Sequence, residues 1–572
     1  MRLIPSRRTW KLAALGCGAA MVTALVLDRV CPPPIERLHA WPSSPLLTCR
    51  HGEPLAAWVA ADDQWRLPVG LEGAGPWLPS ATMAVEDERF ALHPGVDPLA
   101  ITRAATQGVA AGRVVSGAST LTMQIARMIE PHPRTLLGKL QEAARAVQLE
   151  TRTSKDELLA FYLDTAPYGS NLRGVEAASL RWFGCSARDL SLAEAALIAG
   201  LPQSPERLRP DRHPDAAIAR RNHVLDRMLD EGHIDVFRHA EARQEPLRLH
   251  TEAWRPVTAP HFAAWARTRW HQDGRTTLDV TLQHGVERLV REHLRSLPAG
   301  THAAVTVVEV GNSAVRAHVG GQDPQHPGHG ALDLARARRS PGSALKPFVY
   351  AAAFESGRLD WDGILEDAPI ERDGWQPRNF DRRWHGDVRA DDALRRSLNV
   401  PAILALERVG VGTAVGALQS CGVSLTAEAA ESAGLSLAVG GADVRLVDLV
   451  EAWATLARGG RHMDLRLFED EPLEPRTALR ADTSARIVNI LSSDHRVPAG
   501  WIPGRSHAPE ISWKTGTSAG FRDAWAVGTS GGYAIGVWIG RVDGSGDPAY
   551  LGGRAAEPLL TRIAFQLAEM NP

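Results

Sequence analysis

The period of the hydrophobic pattern changes once along the chain, and this change constrains the fold more than any other feature. Between residues 77 and 201 apolar side chains recur at helical spacing, as with Leu121, Ile125 and Met128 at i, i+4 and i+7. After Gly274 the pattern changes to short β-rich runs. A chain of 572 residues is several times longer than one typical core supports. The sequence therefore predicts a multidomain protein with an all-α domain followed by a domain that contains strands.

The second region predicts two hairpins separated by helices. The runs 304–310 and 314–319 flank a Gly-Asn-Ser turn, and the runs 525–528 and 533–539 flank a Ser-Gly-Gly turn. Helical stretches such as 391–409 lie between them, and an apolar helix comes last. Strands at both ends with helices between them predict an α+β fold whose antiparallel sheet is closed by the terminal strands. We expect no third domain after the last helix.

The N-terminus predicts a membrane anchor. Basic residues from Arg2 to Lys11 precede an uncharged run from Leu12 to Leu27, which as a helix spans roughly 24 Å at ~1.5 Å per residue. Trp10 at the interface and a snorkelling Lys11 extend this toward the ~30 Å of a bilayer core. We expect a single-pass transmembrane anchor whose basic end stays in the cytoplasm. A cleaved signal peptide is the alternative.

Prolines and the change of period set the predicted domain boundaries. Four prolines between residues 202 and 214 interrupt the helical pattern. We predict a cytoplasmic tip with the transmembrane anchor at 1–34, a helical domain at 45–215, a connector at 216–275 and a sheet domain at 276–572.

Composition removes several classes of function. Lys and Arg number 64 against 66 Asp and Glu, a net charge of −2, so no basic field predicts binding to nucleic acid. Five cysteines form no C-x-x-C pair, and the chain has neither H-E-x-x-H nor a phosphate loop ending in G-K-[ST]. Zinc chemistry, dithiol redox chemistry, nucleotide hydrolysis and a disulfide framework are therefore not expected.

The first group of chemical side chains lies in the helical region. Glu86 heads an acidic triplet, which by itself is typical of a solvated helix face. A small, polar segment at 117–127 then opens a helix, and Lys139 and Glu142 stand three residues apart on one face of the next. The sequence thus offers two separated carboxylates with cations beside the second.

The order of these residues resembles the peptidoglycan glycosyltransferases of family 51. The resemblance rests on E-D-x-x-F-x-x-H-x-G, G-A-S-T-L-T-x-Q-x-x-R, K-x-x-E and K-D-E-L-L-x-x-Y-L, in this order over about 120 residues. It implies a helical, lysozyme-like domain that acts on lipid II, an undecaprenyl-pyrophosphoryl disaccharide pentapeptide, and on the growing glycan chain.

The resemblance also implies roles for the residues. Glu86 would be the base that takes the proton of the acceptor 4-hydroxyl, and Glu142 the second catalytic carboxylate in an inverting displacement. Arg127, Lys139 and a possible divalent cation, magnesium or manganese, would neutralise the leaving pyrophosphate. Further substrate-binding positions, each with a purely structural alternative, are Asp87, His93, Ser119, Thr120, Gln124 and Lys155.

Two positions depart from the motifs of this family. Gly138 stands where many members have Arg beside the lysine, and Asp164 stands where Asn is usual. The first departure removes a cation from the pyrophosphate side, so we expect it to affect rate.

The second group of chemical side chains lies in the sheet region. Ser343 and Lys346 are one helical turn apart, where a helix terminus and a desolvated amine would activate a hydroxyl. Ser397-Leu398-Asn399 follows 54 residues after Ser343, and Lys514-Thr515-Gly516-Thr517 follows 171 residues after it. An isolated S-x-x-K is a weak signal, but three such motifs in order are not.

These three motifs resemble the penicilloyl-serine transferases, and the whole chain resembles the class A penicillin-binding proteins of subtype 1C. The resemblance implies that Ser343 attacks the D-Ala-D-Ala bond while Lys346 accepts its proton, and that Ser397 relays a proton to the leaving amine. Asn399 would hold the peptide. The terminal carboxylate would bind Lys514, Thr515, Gly516 and Thr517.

The expected function is a bifunctional peptidoglycan synthase at the bacterial inner membrane, with its catalytic domains in the periplasm. Expected partners are lipid II, stem peptides and the membrane, with β-lactams and moenomycin as inhibitors. Two alternatives for the second domain stay open. It would act as a D,D-carboxypeptidase if water resolves the acyl-enzyme, or only as a penicillin-binding module.

Overall fold

A computed structural model describes most of the chain. The described residues are 32, 35–39, 41–103, 119–133, 135–250, 257–270, 273–372, 374–492, 497–499 and 509–570. They form two compact units, residues 1–46 with 57–255 and residues 47–56 with 256–572. The run 12–27, predicted to be a membrane anchor, lies outside the described residues.

Within those ranges, no single helix has the length and apolarity to cross a bilayer. By these two criteria alone, the helices Asn399–Val409 and Val411–Ser420 qualify only as a pair, bent by 95° at the break between them.

The first unit is built mainly of helices, as predicted. Its α-helices are Glu36–His39, Gly70–Gly73, Leu78–Glu86, Leu121–Ile129, Leu136–Glu150, Lys155–Thr165, Val175–Phe183, Leu192–Gly200, Pro214–Asp230 and Val236–Gln244, with 3-10 turns at Phe90–Leu92, Ala187–Asp189 and Leu201–Gln203.

Side-chain caps and one short strand pair complete this unit. Ser154 begins Lys155–Thr165 with a capping box in which Glu157 is the partner. Trp65–Arg66 pairs in parallel with Leu172–Arg173, so the prediction of an all-α domain needs this correction. Strands of two residues have no period that a sequence pattern could reveal.

The structure divides the chain differently from the predicted boundary at residue 215. Helix Pro214–Asp230 packs its apolar face, Val224, Leu225 and Met228, into a core shared with Ala81. It therefore belongs to the helical unit rather than to a connector. Residues 47–56, predicted to lie in the helical domain, belong to the second unit.

The second unit contains both helices and strands. Its α-helices are Pro260–Arg269, Val280–Leu294, Lys346–Glu355, Ala390–Arg395, Asn399–Val409, Val411–Ser420, Ala427–Ala433, Leu446–Ala457, Ala481–Ile490 and Glu557–Met570. Its strands, two of which extend one residue beyond it, are Leu46–Thr48, Pro54–Ala57, Gly274–Arg275, His302–Glu309, Val315–Val319, Ile364–Asp367, Gly386–Arg389, Arg461–His462, Arg476–Thr477, Ile511–Thr517, Asp523–Ser530 and Tyr533–Gly540. Shorter turns are the 3-10 segments Gly342–Leu345, Gly434–Val439 and Ala519–Phe521 and the π-helical segment Gly552–Ala556.

A five-stranded antiparallel sheet forms the centre of this unit. Its strand order is 511–517, 523–530, 533–540, 302–309 and 315–319. Both predicted hairpins are present, and strands from the two ends of the region meet side by side in the sheet, which confirms the α+β prediction.

Helices cover both faces of the sheet. Val280–Leu294 and Glu557–Met570 share a core with alternate residues of the strands. Leu446–Ala457 packs on the opposite face, where Gly536 lies so close to Val450 that a Cβ has no room. The strand Ile511–Thr517, hereafter the Lys-Thr-Gly strand, lies at one edge of the sheet.

The helix predicted over 391–409 is broken in two. Ala390–Arg395 and Asn399–Val409 are separated by Ser397, whose backbone is left-handed with φ 59°. A non-glycine residue in this region costs roughly 1–3 kcal/mol and persists only where its surroundings impose it. Ser397 was predicted to be a functional residue, and this strain places its carbonyl toward a buried amine described below.

Candidate active sites

In the helical unit, Glu86 is the last residue of helix Leu78–Glu86, and its carboxylate is buried. Oε2 accepts a hydrogen bond of 2.8 Å from Nε2 of Gln124, whose Oε1 accepts one of 3.3 Å from the Tyr162 hydroxyl. Oε1 of Glu86 has no hydrogen-bond partner in the structure. Burial raises the pKa of Glu86, opposed by the bond from Gln124. A buried carboxylate that has a raised pKa and one oxygen without a hydrogen bond is suited to accept a proton.

Arg220 is a component of this site that the sequence motifs did not indicate. Its guanidinium lies 4.0 Å from the open Oε1 of Glu86, and its Nε donates to the carbonyl of Gly200. The positive charge lowers the pKa of Glu86 against the larger effect of burial. Arg220 comes from helix Pro214–Asp230, the segment that the sequence analysis assigned to a connector.

Glu142, the second glutamate, is surrounded by nitrogen donors. It lies in helix Leu136–Glu150 with its side chain 3% exposed. Nζ of Lys139 donates to Oε2 at 2.5 Å and also to the Ser119 hydroxyl at 2.7 Å. Oε1 faces Arg127 at 3.9 Å and Nε2 of His132 at 3.3 Å. His132 was not among the predicted site residues.

One cavity is lined by a contact residue of each of the two glutamates. Gln124, which holds Glu86, and Arg127, which faces Glu142, are one turn apart on helix Leu121–Ile129. Both line a cavity of about 280 Å³, together with Tyr162 and other residues. The structure therefore brings Gln124, the partner of the predicted base, and Arg127, one of the predicted cations, to one cavity.

Asp87 and His93 bond to each other and to the backbone. Nε2 of His93 lies 2.9 Å from Oδ1 of Asp87, whose Oδ2 accepts a hydrogen bond from the Leu121 backbone. Both side chains are buried. These contacts support the structural alternative for both residues, since they join the Glu86 loop to the start of the next helix.

Thr120 and Lys155 also have internal partners. The Thr120 hydroxyl donates to the carbonyl of Gly95 and caps helix Leu121–Ile129. Lys155 donates to the His93 carbonyl and to Glu150, each at 2.7 Å. Their observed role is to hold the loop in place.

The two departures from the motifs have structural explanations. Asp164 accepts hydrogen bonds from the backbone N–H groups of Val69 and Gly70, so a carboxylate anchors that turn. A Cβ at Gly138 would lie 2.5 Å from Cδ2 of His132 and 2.5 Å from the carbonyl oxygen of Pro133. The absence of a side chain at 138 thus allows the imidazole to lie against the helix.

In the sheet unit, Ser343 lies in the turn Gly342–Leu345, and helix Lys346–Glu355 follows directly. This turn packs against the Lys-Thr-Gly strand. A Cβ has no room at Gly342 because the Thr517 backbone is adjacent, and none at Gly516 because the Pro341 carbonyl is adjacent. The serine motif and the third motif are therefore in direct backbone contact.

Lys346 is fully buried beside the second motif. Its Nζ donates to the Ser397 carbonyl and to Oδ1 of Asn399, each at 2.7 Å, and lies 3.5 Å from the Ser397 hydroxyl. Burial lowers the pKa of Lys346 to about 7. An amine with a pKa near 7 is about half neutral at that pH, and its neutral form can accept the proton of a serine hydroxyl.

The second motif is supported by residues that the sequence analysis missed. Nδ2 of Asn399 donates to the carbonyl of Arg378, and its backbone N–H donates to Oδ1 of Asn379. Asn379 is in turn held by the buried carboxylate of Asp367 at 2.7 and 2.9 Å. Asn399 therefore orients Lys346 within the protein.

The third motif presents a buried amine and two half-buried hydroxyl residues. Nζ of Lys514 donates to the carbonyl of Thr515 at 2.7 Å, and the residue is 1% exposed. Oγ1 of Thr517 accepts a hydrogen bond from the Gly552 N–H. Because this strand is an edge strand, it can offer backbone groups to an extended peptide.

Comparisons with known proteins assign a family to each of the two regions of the chain. A family model described as "Transglycosylase" matches residues 51–229, and one described as "Penicillin binding protein transpeptidase domain" matches residues 303–555. Penicillin-binding protein 1C of Escherichia coli is 38% identical over 98% of this chain and 72% of that protein. Penicillin-binding protein 1F of Bacillus subtilis is 31% identical over 61% of this chain and 51% of that protein.

A solved structure shows the same fold. The crystal structure of penicillin-binding protein 1A from Haemophilus influenzae aligns with 93% of this chain and 92% of that chain, at a TM-score of 0.57 and 19% identity.

Proposed function

The chain belongs to the class A penicillin-binding proteins, and from this membership we propose that its helical unit polymerises lipid II while its sheet unit crosslinks stem peptides. It carries a transglycosylase domain and a transpeptidase domain and acts in peptidoglycan synthesis. The proposal concerns the substrates and the residues that carry out each step. One observation supports it best. Each unit contains a buried base, and burial shifts the pKa of that base toward neutral pH.

In the glycosyl transfer, Glu86 takes the proton of the acceptor sugar 4-hydroxyl. The oxygen attacks the anomeric carbon of the donor, and the bond to the lipid pyrophosphate breaks with inversion. Gln124 holds Oε2, which leaves Oε1 as the proton acceptor. Low exposure favours the transfer because a carboxylate without a water shell is a stronger base.

Charge on the departing pyrophosphate is neutralised by Arg127 and Lys139. Both are partly exposed, at 35% and 43% of their side chains, while the carboxylate between them is buried. The cations can therefore reach a ligand while Glu142 fixes their positions. The polyprenyl tail of lipid II favours the membrane, so we propose a single-pass anchor at the inner membrane with the catalytic units in the periplasm.

A magnesium or manganese ion fits poorly beside Glu142. A divalent cation needs free anionic or neutral oxygens, but the two oxygens of this carboxylate already face Lys139 and His132, with Arg127 nearby. We therefore derive no step through a metal ion.

In the acyl transfer, Lys346 accepts the proton of the Ser343 hydroxyl as the serine oxygen attacks the D-Ala-D-Ala bond. The Ser397 hydroxyl lies 3.5 Å from the amine and can pass the proton to the leaving D-alanine. Thr515 and Thr517, with Lys514, bind the terminal carboxylate, and the amine of a neighbouring stem peptide resolves the acyl-enzyme. β-Lactams acylate Ser343 by the same route.

Polymerisation of purified lipid II by the full-length protein in detergent, followed by muropeptide analysis, tests both reactions. We expect long glycan chains and crosslinked muropeptides, with chain growth inhibited by moenomycin. Free D-alanine without crosslinks would assign carboxypeptidase activity to the sheet unit. Absence of glycan under every condition would overturn the polymerase assignment.

A further inference from the structure

The contacts of His132 carry an inference that rests on the proposed glycosyl transfer and goes beyond it. The imidazole lies between a backbone carbonyl and Glu142, and its side chain is 12% exposed. Nδ1 lies 2.9 Å from the carbonyl oxygen of Glu130. A carbonyl oxygen can only accept, so Nδ1 must carry a hydrogen.

This fixes the state of the other ring nitrogen. A neutral imidazole with hydrogen on Nδ1 has a bare lone pair on Nε2, which lies 3.3 Å from Oε1 of Glu142. Two acceptors at this distance repel unless one of them is protonated. Lys139 lies 2.5 Å from the other oxygen of Glu142 and favours the ionised carboxylate. The proton therefore belongs on Nε2, and the ring is an imidazolium.

The charges around the ring are consistent with this state. Glu142 attracts the imidazolium, whereas Arg127 and Lys139, which face the same carboxylate, oppose it. The carboxylate of Glu130 is paired with Arg145. The anion in contact with the ring is thus the catalytic carboxylate itself.

The local backbone is shaped to accept the ring. Helix Leu136–Glu150 begins after Thr135, which caps it by accepting from the Gly138 N–H. A Cβ at Gly138 would lie 3.0 Å from Nε2 of His132 as well as against its Cδ2. Any larger residue at 138 would displace the imidazole from the carboxylate.

We propose that His132 is a positioning residue of the glycosyltransferase site, and that its protonated ring supplies a positive charge that holds Glu142 and sets an alkaline limit to glycan polymerisation. Polymerisation is faster with the cationic ring than with the neutral one, so its rate is highest near neutral pH and falls as rising pH removes the proton. The rate should fall to a plateau roughly tenfold lower, the level expected for a site without the ring charge. The rate also declines at acid pH, because Glu86 must be ionised to accept a proton and is protonated there.

The test compares the initial rate of lipid II polymerisation between pH 5.5 and 9 for full-length wild type, His132→Gln and His284→Gln. Glutamine keeps a donor but cannot gain charge, whereas His284 is an exposed histidine of the sheet unit. We expect His132→Gln to lose the alkaline decline, keep the acid decline, and work roughly tenfold more slowly at neutral pH, the size of losing one interaction with a charged group. His284→Gln should match wild type.

A second variant and a second readout guard against misfolding. Gly138→Ala should displace the ring and also remove the alkaline decline. Nitrogen-15 spectra of histidine-labelled protein at pH 7 should contain an imidazolium signal that His132→Gln lacks. Fluorescent penicillin labelling of Ser343 reports folding of the second unit only, so limited proteolysis of each variant against wild type reports folding of the helical unit that contains residues 132 and 138.

The outcomes separate the two hypotheses. An alkaline decline that is unchanged in His132→Gln, or a neutral His132 signal at pH 7, would overturn this inference and leave the glycosyltransferase assignment intact. A wild-type protein that never polymerises lipid II would overturn the assignment itself.

Discussion

The two active sites use burial in opposite electrostatic directions. Burial raises the pKa of Glu86 in the helical unit and lowers the pKa of Lys346 in the sheet unit. In both sites burial favours the neutral form of the side chain, because a low-dielectric environment disfavours the charged form. One physical cause therefore brings an acid and an amine toward the same range of pH.

The sites differ in how the remaining charge is compensated. Glu86 has a cation at 4.0 Å, Arg220, and an amide donor. Lys346 has a carbonyl and an amide oxygen, both neutral, and burial alone accounts for its shift. A base that must be ionised to work has a counter-charge, whereas a base that must be neutral to work has none.

The largest effect is expected from removing the nucleophile. Ser343→Ala should abolish labelling by fluorescent penicillin completely, because the proposed acyl-enzyme forms on the Ser343 hydroxyl oxygen, and glycan polymerisation should continue. Ser340→Ala is the matched control, since its hydroxyl donates to the carbonyl of Gly440 and plays no part in the chemistry. Labelling that persists in Ser343→Ala would place the acyl-enzyme elsewhere.

The next effect is expected from neutralising the carboxylate base. Glu86→Gln should lower the polymerisation rate roughly 10²- to 10⁴-fold, the range of general-base catalysis, while penicillin labelling stays unchanged. Glu88→Gln, two residues away and partly exposed in an ion pair with Arg227, should change the rate less than about threefold. Equal effects of the two substitutions would remove the special role of Glu86.

The sequence predicted the parts of these sites that are read from local order. The motifs singled out Glu86 and Gln124, and Ser343 and the Lys-Thr-Gly strand, from residue types and their spacing. The structure brings the members of each pair into contact. The supporting groups were not predictable in this way. Arg220 lies far along the chain from Glu86, and Asn379 lies in a loop 20 residues before Asn399. Neither belongs to a motif, so only tertiary packing brings them in.

Some residues at predicted substrate-binding positions bond to the protein in the structure. Asp87, His93, Thr120 and Lys155 match substrate-binding motif positions, but their hydrogen bonds are to the protein. A motif records that a residue type is needed and not whether it contacts a ligand or a loop. The departure at Gly138 was the one sequence signal that pointed toward His132, since space at 138 allows the ring to approach.

The neutral base predicts how acylation depends on pH. The pKa of Lys346 is lowered to about 7, so the amine is protonated and inactive below this pH and free above it. The rate of penicillin acylation should therefore rise about tenfold per pH unit below pH 7 and level off above it. Stopped-time labelling from pH 5 to 9, with Ser343→Ala as the blank, measures this. A rate still rising steeply above pH 9 would mean that Lys346 titrates like an exposed lysine.

The smallest effect, and the most direct test of the comparison, concerns the counter-charge of the carboxylate base. Removing Arg220 should raise the pKa of Glu86 further, because the guanidinium lowers that pKa across 4.0 Å. Since Glu86 works only when ionised, polymerisation by Arg220→Met should lose activity at a higher pH than wild type as the solution is acidified. We expect the pH at which activity is lost on acidification to rise by roughly one unit.

The informative measurement is the pH at which polymerisation falls to half of its maximal rate on acidification, rather than the maximal rate itself. Arg220 also donates to the carbonyl of Gly200, so its loss changes packing as well as charge. Arg220→Lys keeps the charge without that bond and should restore the wild-type value of that pH, and the exposed Arg207→Met should leave it unchanged. Arg220→Met and wild type should not lose activity at the same acid pH if this comparison holds. An equal pH would mean that burial and Gln124 alone set the pKa of Glu86, and the contrast with Lys346 would disappear.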